Sequence, residues 1–246
     1  MTSRPQDPPR GALDDEFADA WAVAQDVPGW LKVGQARMLF DAVVALPPGA
    51  TVLEIGSHQG RSTVVLGRAL CLRSGSLLCD DPFVEGRLFG GRSTRARFEE
   101  NVRDAGIADL VTLEAEFSTR LRPRWTRELD LLYIDGKHDY WTFTDDLRWA
   151  AFLPEGGQVL VHDAFSSIGV TLGVLAKVLP SSSLRYLRRS DSMAVFAKEP
   201  PTAADRGRVV RELPWWVRNV GIKVLLRLRL RRVAAAVGHD SPYDPY

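Results

Sequence analysis

The chain has 246 residues, a hydrophobic content of 45% and a formal net charge of +1 at pH 7. This length fits one α/β domain with appendages better than two full domains. The near-neutral charge argues against a polyanion-binding protein, so we expect no nucleic-acid partner. Residues 1–15 contain no apolar segment of the signal-peptide kind, which favours a cytoplasmic protein.

The N-terminal part divides into a lead-in and a helical segment. Residues 1–15 are rich in proline and mixed charges, which predicts disorder. Helical patterning follows over 16–46, and it is clearest from residue 35 onward, where apolar side chains recur at helical spacing. The domain that begins here is expected to extend to residue 199.

Strands and helices alternate through the middle of the chain. Apolar runs predict seven strands, at 51–55, 76–80, 110–115, 129–134, 158–162, 184–187 and 193–198. Helices are predicted at 63–70, 95–105, 142–152 and 169–179, and the glycine-rich segment 83–94 predicts a mobile loop. This order predicts a Rossmann-like, doubly wound, mostly parallel seven-stranded sheet with a closing antiparallel hairpin and helices on both faces.

The C-terminal extension, residues 200–246, differs in composition. Between residues 205 and 232 there are nine Lys or Arg and two acids, together with Trp215 and Trp216. The sequence pattern does not decide between helix and strand for this segment. We expect this segment to be the arm of a homodimer or a cap packed on the sheet. The alternative is a peripheral contact with a membrane surface.

A glycine turn follows the first predicted strand. Gly56 and Gly60 allow positive φ and close approach of a ligand, and the helix that starts near Ser62 offers unpaired N–H groups. This arrangement is typical of a nucleotide cradle, although similar turns also join strands to helices without a ligand. Asp81, about twenty residues after the turn, is preferred over Asp80 as the ribose-binding acid; the alternative is a turn acid.

Two further acids end predicted strands. Asp135 and Asp163 are each preceded by an apolar run, so their carboxylates are expected in one cleft, where Mg²⁺ or Mn²⁺ would satisfy both. Alternatively they only cap and shape turns. His138 is a candidate general base or a hydrogen-bonded structural residue. His162 is expected to face the core or to orient Asp163, and His58 to fill the glycine turn.

Three segments resemble one family. The sequences LEIGSHQGRST, CDDPF and YIDGKHDYWTFTDDLRWAAFLPEGGQVLVHDAF look like class I S-adenosylmethionine-dependent methyltransferases. They are most similar to the branch of metal-assisted O-methyltransferases that act on sugars and related hydroxylated metabolites. The resemblance covers residues 27–198.

The resemblance implies a role for each matching residue. The residues expected at the methionine part of the cofactor are Glu54, Gly56, Ser57, Gly60 and Ser62. Asp81 would hold the ribose, and Ser118, near Glu116 and Phe117, would border the adenine. Asp135 and Asp163 match the metal-binding positions, and His138 matches a histidine of this branch. Ala164 departs from the Asn or Asp of catechol-type relatives, so the ion would have fewer protein ligands or would take one from elsewhere, as His138 or Asp139 could supply it.

The resemblance implies methyl transfer from S-adenosylmethionine, and the acceptor that we predict is a hydroxyl of a sugar or glycoside, in an oligo- or polysaccharide precursor or a glycosylated metabolite. Arg87, Arg92, Arg95 and Arg97 could contact such an acceptor. The alternative acceptor is a small aromatic or other hydroxylated metabolite. Remoter alternatives are an NAD-dependent oxidoreductase, although no Gly-x-Gly-x-x-Gly pattern is present, and a non-catalytic binding module.

Overall fold

The structure is a computed structural model that describes residues 10–84 and 91–239. The chain divides into two compact units, Met1–Phe117 and Ser118–Tyr246. The seven strands belong to one sheet, with the order β3-β2-β1 in the first unit and β4-β5-β7-β6 in the second. The predicted α/β fold, with a mostly parallel seven-stranded sheet and a closing antiparallel hairpin, is confirmed.

The first unit alternates helices with short parallel strands. Its elements are α1 (Arg10–Ala24), α2 (Val33–Val44), β1 (Thr51–Ile55), α3 (Arg61–Cys71), β2 (Ser76–Asp80), α4 (Gly91–Asp104) and β3 (Val111–Glu114). Strand β2 pairs in parallel with β1 on one side and with β3 on the other. The last four residues of β1 and of β2 are buried, as expected for strands covered on both faces.

Helix α1 begins earlier than the sequence indicated. Residues 10–15, placed in the predicted disordered lead-in, are helical, while residues 1–9 lie outside the described part of the chain. Arg37 of α2 forms ion pairs with Asp14 (2.5 Å) and Asp41 (2.7 Å). The ring of Phe17 packs edge-on against Phe40, with 5.5 Å between centroids. These contacts with α2 explain why a charged, low-hydrophobicity segment is ordered.

The second unit contains the rest of the sheet. Its elements are α5 (Ser118–Leu121), β4 (Leu131–Ile134), α6 (Tyr140–Asp146), β5 (Gln158–Val161), α7 (Ile168–Gly173), β6 (Arg185–Ser190), β7 (Met193–Ala197), α8 (Ala203–Arg211), α9 (Leu213–Arg227) and α10 (Arg231–Ala236). Strands β4 and β5 are parallel, whereas β7 is antiparallel to both β5 and β6. Helix α6 continues as a 3₁₀ helix, Leu147–Phe152, and α7 as a π-helical segment, Val174–Val178.

The predicted loop over 83–94 differs from its expected bounds, and the C-terminal extension has a secondary structure that the sequence left undecided. The predicted loop over 83–94 is shorter, since α4 already begins at Gly91; residues 85–90, including Arg87, lie outside the described residues. The extension left open by the sequence is helical. Thr202 and Asp205 form a reciprocal capping box at the start of α8. Among the residues described, no helix is long and apolar enough to cross a membrane.

Candidate cofactor turn and histidine–aspartate cluster

The glycine turn of the first unit needs glycine at its two ends. Gly56 has φ 88° and Gly60 has φ 92°, a region that side chains with a β-carbon rarely adopt. A β-carbon on Gly60 would also lie 3.2 Å from Cδ2 of Phe98. The Gly60 N–H donates to the Ser57 carbonyl (2.8 Å), which closes the turn before α3.

Asp81 is held against this turn by backbone donors. Its Oδ2 accepts hydrogen bonds from the N–H groups of Ser57 (3.1 Å) and His58 (2.8 Å), and its Oδ1 accepts one from the Phe83 N–H (2.8 Å). A carboxylate has about four acceptor sites, so capacity for a further hydroxyl donor is left. The predicted ribose-binding acid is therefore fixed beside the predicted cradle.

Glu54 and Ser62 lie beneath the turn in a buried network. The Glu54 carboxylate is fully buried and accepts hydrogen bonds from the hydroxyls of Ser62 and Thr63, both at 2.5 Å. Burial disfavours the charged form and outweighs these donors, raising the pKa of Glu54 to about 7. The geometry gives Glu54 and Ser62 a positioning role under the turn, with Gly56, Ser57 and Gly60 forming the turn itself.

Ser118, the residue predicted to border the adenine, begins α5 in the second unit. It is 7% exposed, and its hydroxyl donates to Oδ1 of Asp146. Burial raises the pKa of Asp146 to about 7. Sequence reasoning did not single out Asp146; the only signal was an acid on the apolar stripe of the predicted helix 142–152.

Around Asp135 the second unit brings together two imidazoles and a phenol. Asp135 Oδ1 lies 3.1 Å from His162 Nδ1 and 3.4 Å from His138 Nε2, and its Oδ2 accepts a hydrogen bond from the Tyr133 hydroxyl (3.0 Å). Burial opposes ionisation of Asp135. The two histidines outweigh that effect and hold the pKa of Asp135 below its ordinary value.

Asp163 joins the same cluster from the end of β5. Its Oδ2 is 3.4 Å from His138 Nδ1, and its Oδ1 is 3.7 Å from His162 Nδ1. The residue has φ 54°, and its carbonyl accepts hydrogen bonds from the N–H groups of Ser166 and Ser167. Each histidine therefore contacts both carboxylates. The three residues predicted to act together, Asp135, His138 and Asp163, are close in space.

The donor atoms that converge in this cluster include one from His162, which the sequence predicts to face the core or to orient Asp163 and does not predict as a metal ligand. One ligand atom each of Asp135, His138 and His162 lies within 4.8 Å of the others. Asp139, a suggested further ligand, instead caps α6: its Oδ1 accepts the N–H groups of Trp141 and Thr142, both at 3.0 Å. Its side chain is thus committed to the helix start.

The chemistry of this donor set fits a divalent ion with nitrogen ligands. Mg²⁺ prefers oxygen donors in octahedral geometry, whereas imidazole suits Fe²⁺, Ni²⁺ and Zn²⁺ better. A donor set that combines imidazole with carboxylates is therefore a better match for a transition-metal ion than for Mg²⁺. The expected alternative, Mn²⁺, is compatible with both kinds of donor.

Comparison with known proteins found a match to one family model and several solved structures with a similar fold. Residues 53–164 match the family model described as a methyltransferase domain. Cofactor-bound Rv0187 from MTB is 18% identical with a TM-score of 0.59, over 80% of this chain and 100% of that chain. The O-methyltransferase TomG from Streptomyces achromogenes, in complex with SAM, is 18% identical with a TM-score of 0.56, over 76% and 90%. The O-methyltransferase NovP is 16% identical with a TM-score of 0.58, over 77% and 99%.

The matched segment begins in β1 and ends directly after Asp163, so it contains the glycine turn and the histidine–aspartate cluster. The solved structures, at these identities, show the shared fold. On these findings residues 53–164 are similar to a methyltransferase domain, and the fold is that of the solved methyltransferase structures.

Proposed function

We propose that this protein transfers the methyl group of S-adenosylmethionine to a hydroxyl oxygen of a small molecule. One observation carries the proposal: the match to a methyltransferase domain, residues 53–164, spans every residue predicted for the cofactor and for the chemistry. Two similar structures, TomG and NovP, are described as O-methyltransferases, and TomG as involved in tomaymycin synthesis. A hydroxyl of a small metabolite is the acceptor class these names favour.

In this proposal the first unit binds the cofactor. Asp81, fixed by the amides of Ser57 and His58, accepts hydrogen bonds from ribose hydroxyls. The glycine turn lets the ligand approach the backbone, and the N-terminus of α3 adds N–H groups and the positive end of the helix dipole. Glu54 and Ser62 keep the turn in shape from below.

His138 is the proposed general base. In the transfer, a bond forms between the acceptor oxygen and the methyl carbon while the sulfur–carbon bond breaks, and the sulfonium loses its charge. The hydroxyl proton must leave, and a neutral His138 can accept it. Asp135 and Asp163, both 3.4 Å from the imidazole, would stabilise the resulting imidazolium.

Asp135, His162 and Asp163 are the residues proposed to hold a divalent ion. His162 is 5% exposed and suits a ligand role, whereas the His138 side chain is 29% exposed and suits contact with an acceptor. A bound divalent ion supplies Lewis acidity that lowers the pKa of a coordinated hydroxyl.

Metal titration separates the two histidines. By calorimetry with MnCl₂ and MgCl₂, we expect Mn²⁺ to bind more tightly than Mg²⁺ and His162→Gln to weaken Mn²⁺ binding about tenfold or more. His138→Gln should retain the Mn²⁺ affinity while losing turnover. Loss of Mn²⁺ binding in His138→Gln would make that histidine a ligand, and absence of binding in the unmodified protein would remove the metal from the proposal.

Trp141 favours an aromatic acceptor. It lies three residues after His138, is 79% exposed, and its ring meets Tyr140 edge-on at 5.0 Å. Such a ring offers a stacking surface for a planar molecule. For the narrower sugar acceptor the described arginines add little support, because Arg95 is already paired with Glu99 at 2.9 Å. The sugar acceptor therefore stays a prediction.

A panel of acceptors tests the proposal. Purified protein, S-adenosylmethionine and MnCl₂ would be incubated with phenols, catechols and glycosides, and S-adenosylhomocysteine and methylated products measured by mass spectrometry. We expect methylated phenols or catechols, with KM raised about tenfold by Trp141→Ala and restored by Trp141→Phe. Methylation of glycosides alone would establish the sugar acceptor instead.

A further inference from the structure

The last helices of the second unit present an outward face that is both apolar and basic. Val217, Val224 and Leu228 of α9 and its C-terminus are 63%, 52% and 63% exposed. Their spacing of seven and four residues places them on one side of the helix. The exposed apolar surface continues beyond α9 with Leu230 (45%) and Val233 (47%). We call the surface formed by Val217, Val224, Leu228, Leu230 and Val233 the tail face.

Basic side chains surround these apolar residues. Arg227, Arg229 and Arg232 are exposed and alternate with the exposed leucines and valine. The two acids within residues 205–232, Asp205 and Glu212, lie outside the tail face and are engaged within the fold. Asp205 binds Thr202 and Arg208, and Glu212 accepts hydrogen bonds from the Tyr186 hydroxyl (2.7 Å) and from Arg189 (2.5 Å).

The opposite side of α9 is anchored to the second unit. Ile222 is 4% exposed, and the Asn219 amide donates to the Phe165 carbonyl at 3.1 Å. Arg218 donates to the carbonyls of Val237 (2.9 Å) and Gly238 (2.6 Å), which ties α9 to the end of α10. The tail face is therefore held outward by contacts within the unit.

We propose that the tail face docks on an anionic lipid surface. Each exposed arginine gains electrostatic energy near anionic headgroups, and Val224 and Leu228 can enter the acyl boundary. A second copy fits less well, because a twofold contact would place the same arginines against one another. A nucleic acid would match the charge and leave the apolar side chains without an apolar partner. Docking does not depend on the proposed methyl transfer.

Vesicle co-sedimentation of the full chain tests the docking. Partition coefficients would be measured on phosphatidylcholine vesicles with and without about 30% phosphatidylglycerol. One variant removes charge (R227Q/R229Q/R232Q), and another removes apolar groups while keeping the helix (V217T/V224T/L228Q). A matched control, R97Q/R103Q/R127Q, makes the same change in net charge at other exposed arginines.

We expect at least tenfold stronger partition to the anionic vesicles, a tenfold or greater loss in both tail-face variants and a change within twofold in the control. Salt at about 0.5 M should weaken the docking. S-adenosylhomocysteine binding, measured in parallel, shows whether each variant is folded. Three results would overturn the proposal. The first is equal partition to neutral and anionic vesicles, and the second is vesicle binding that V217T/V224T/L228Q leaves unchanged while RNA binds equally well. The third is a dimer, detected by sedimentation, that the V217T/V224T/L228Q substitutions dissociate.

Discussion

Glu54 in the first unit and Asp135 in the second are both carboxylates at the carboxyl ends of buried strands, yet their pKa values move in opposite directions. Glu54 is surrounded by hydroxyl donors from α3, so burial dominates and raises its pKa to about 7. Burial acts on Asp135 as well, but two imidazoles outweigh it and lower its pKa. A buried acid at a strand end that has only neutral hydroxyl donors keeps a raised pKa and can be protonated, whereas neighbouring imidazoles lower the pKa of such an acid and keep it ionised.

The largest expected effect comes from taking one imidazole away from Asp135. His138→Gln removes the proposed base, and turnover should fall by about 10²–10⁴-fold while cofactor affinity stays within twofold. Initial rates of S-adenosylhomocysteine formation measure this. His239→Gln, a substitution of a histidine outside the cluster, serves as the control and should retain activity. A His138→Gln enzyme within threefold of the unmodified rate would contradict the assignment.

Glu54→Gln tests the opposite side of the comparison. The folded-state pKa of Glu54 is raised from 4.5 to about 7, so the folded protein keeps a proton that the unfolded chain loses in this window. Stability therefore falls as pH rises from 4.5 to 7, by about 3 kcal/mol in total. Between pH 5 and pH 8, the fall measured by urea unfolding should be smaller by about 2–3 kcal/mol in Glu54→Gln, because part of the total loss occurs below pH 5. Parallel pH dependences in the two proteins would refute the role of burial.

Gly60→Ala asks how far the first unit's turn depends on its backbone. The substitution places a β-carbon at φ 92° and 3.2 Å from Phe98, so the free energy of unfolding should fall by about 2 kcal/mol. Gly207→Ala is the matched control: Gly207 lies within α8 with open space around it, and the change should stabilise by up to about 1 kcal/mol. Equal effects of the two substitutions would show that the turn tolerates a side chain.

The smallest effect is expected at Asp146, an acid of the second unit that resembles Glu54 in being buried beside a hydroxyl. Ser118→Ala removes that hydroxyl, so the pKa of Asp146 should rise above about 7. The free energy of unfolding should fall by about 1 kcal/mol at pH 8 and by less at pH 5, where Asp146 is protonated. Ser182→Ala, at an exposed serine, is the control. A larger loss at pH 5 than at pH 8 would reverse this assignment.

Much of the fold follows from local sequence. Strands β1 (Thr51–Ile55) and β2 (Ser76–Asp80) have the predicted bounds, because each is an apolar run with a clear stop. Pro82 ends the second of them. Helical bounds were harder to predict: α1 and α4 both start earlier than expected, since their polar first turns carry little hydrophobic signal.

The two candidate sites also differ in how much of each could be predicted from the sequence. The glycine turn and Asp81 could be predicted from the sequence, because each directly follows the end of a clearly marked strand, β1 or β2. The position of His162 beside Asp135 depends on the pairing of β4 with β5, which aligns Ile134 with Val161 and so brings the next residues level. That register cannot be read from the sequence of either strand alone. Likewise, the inward direction of Glu54 toward Ser62 and Thr63 depends on how α3 packs.

Titration calorimetry with S-adenosylhomocysteine tests the central claim most directly, that the turn closed by Asp81 binds the methyl-donor cofactor. The full chain should bind with micromolar affinity. Asp81→Asn should weaken binding about tenfold or more, because the amide cannot accept the same hydroxyl and N–H donors. Asp109→Asn, at an exposed acid of the first unit, should leave affinity unchanged. No heat of binding, or equal affinity in Asp81→Asn, would contradict the account.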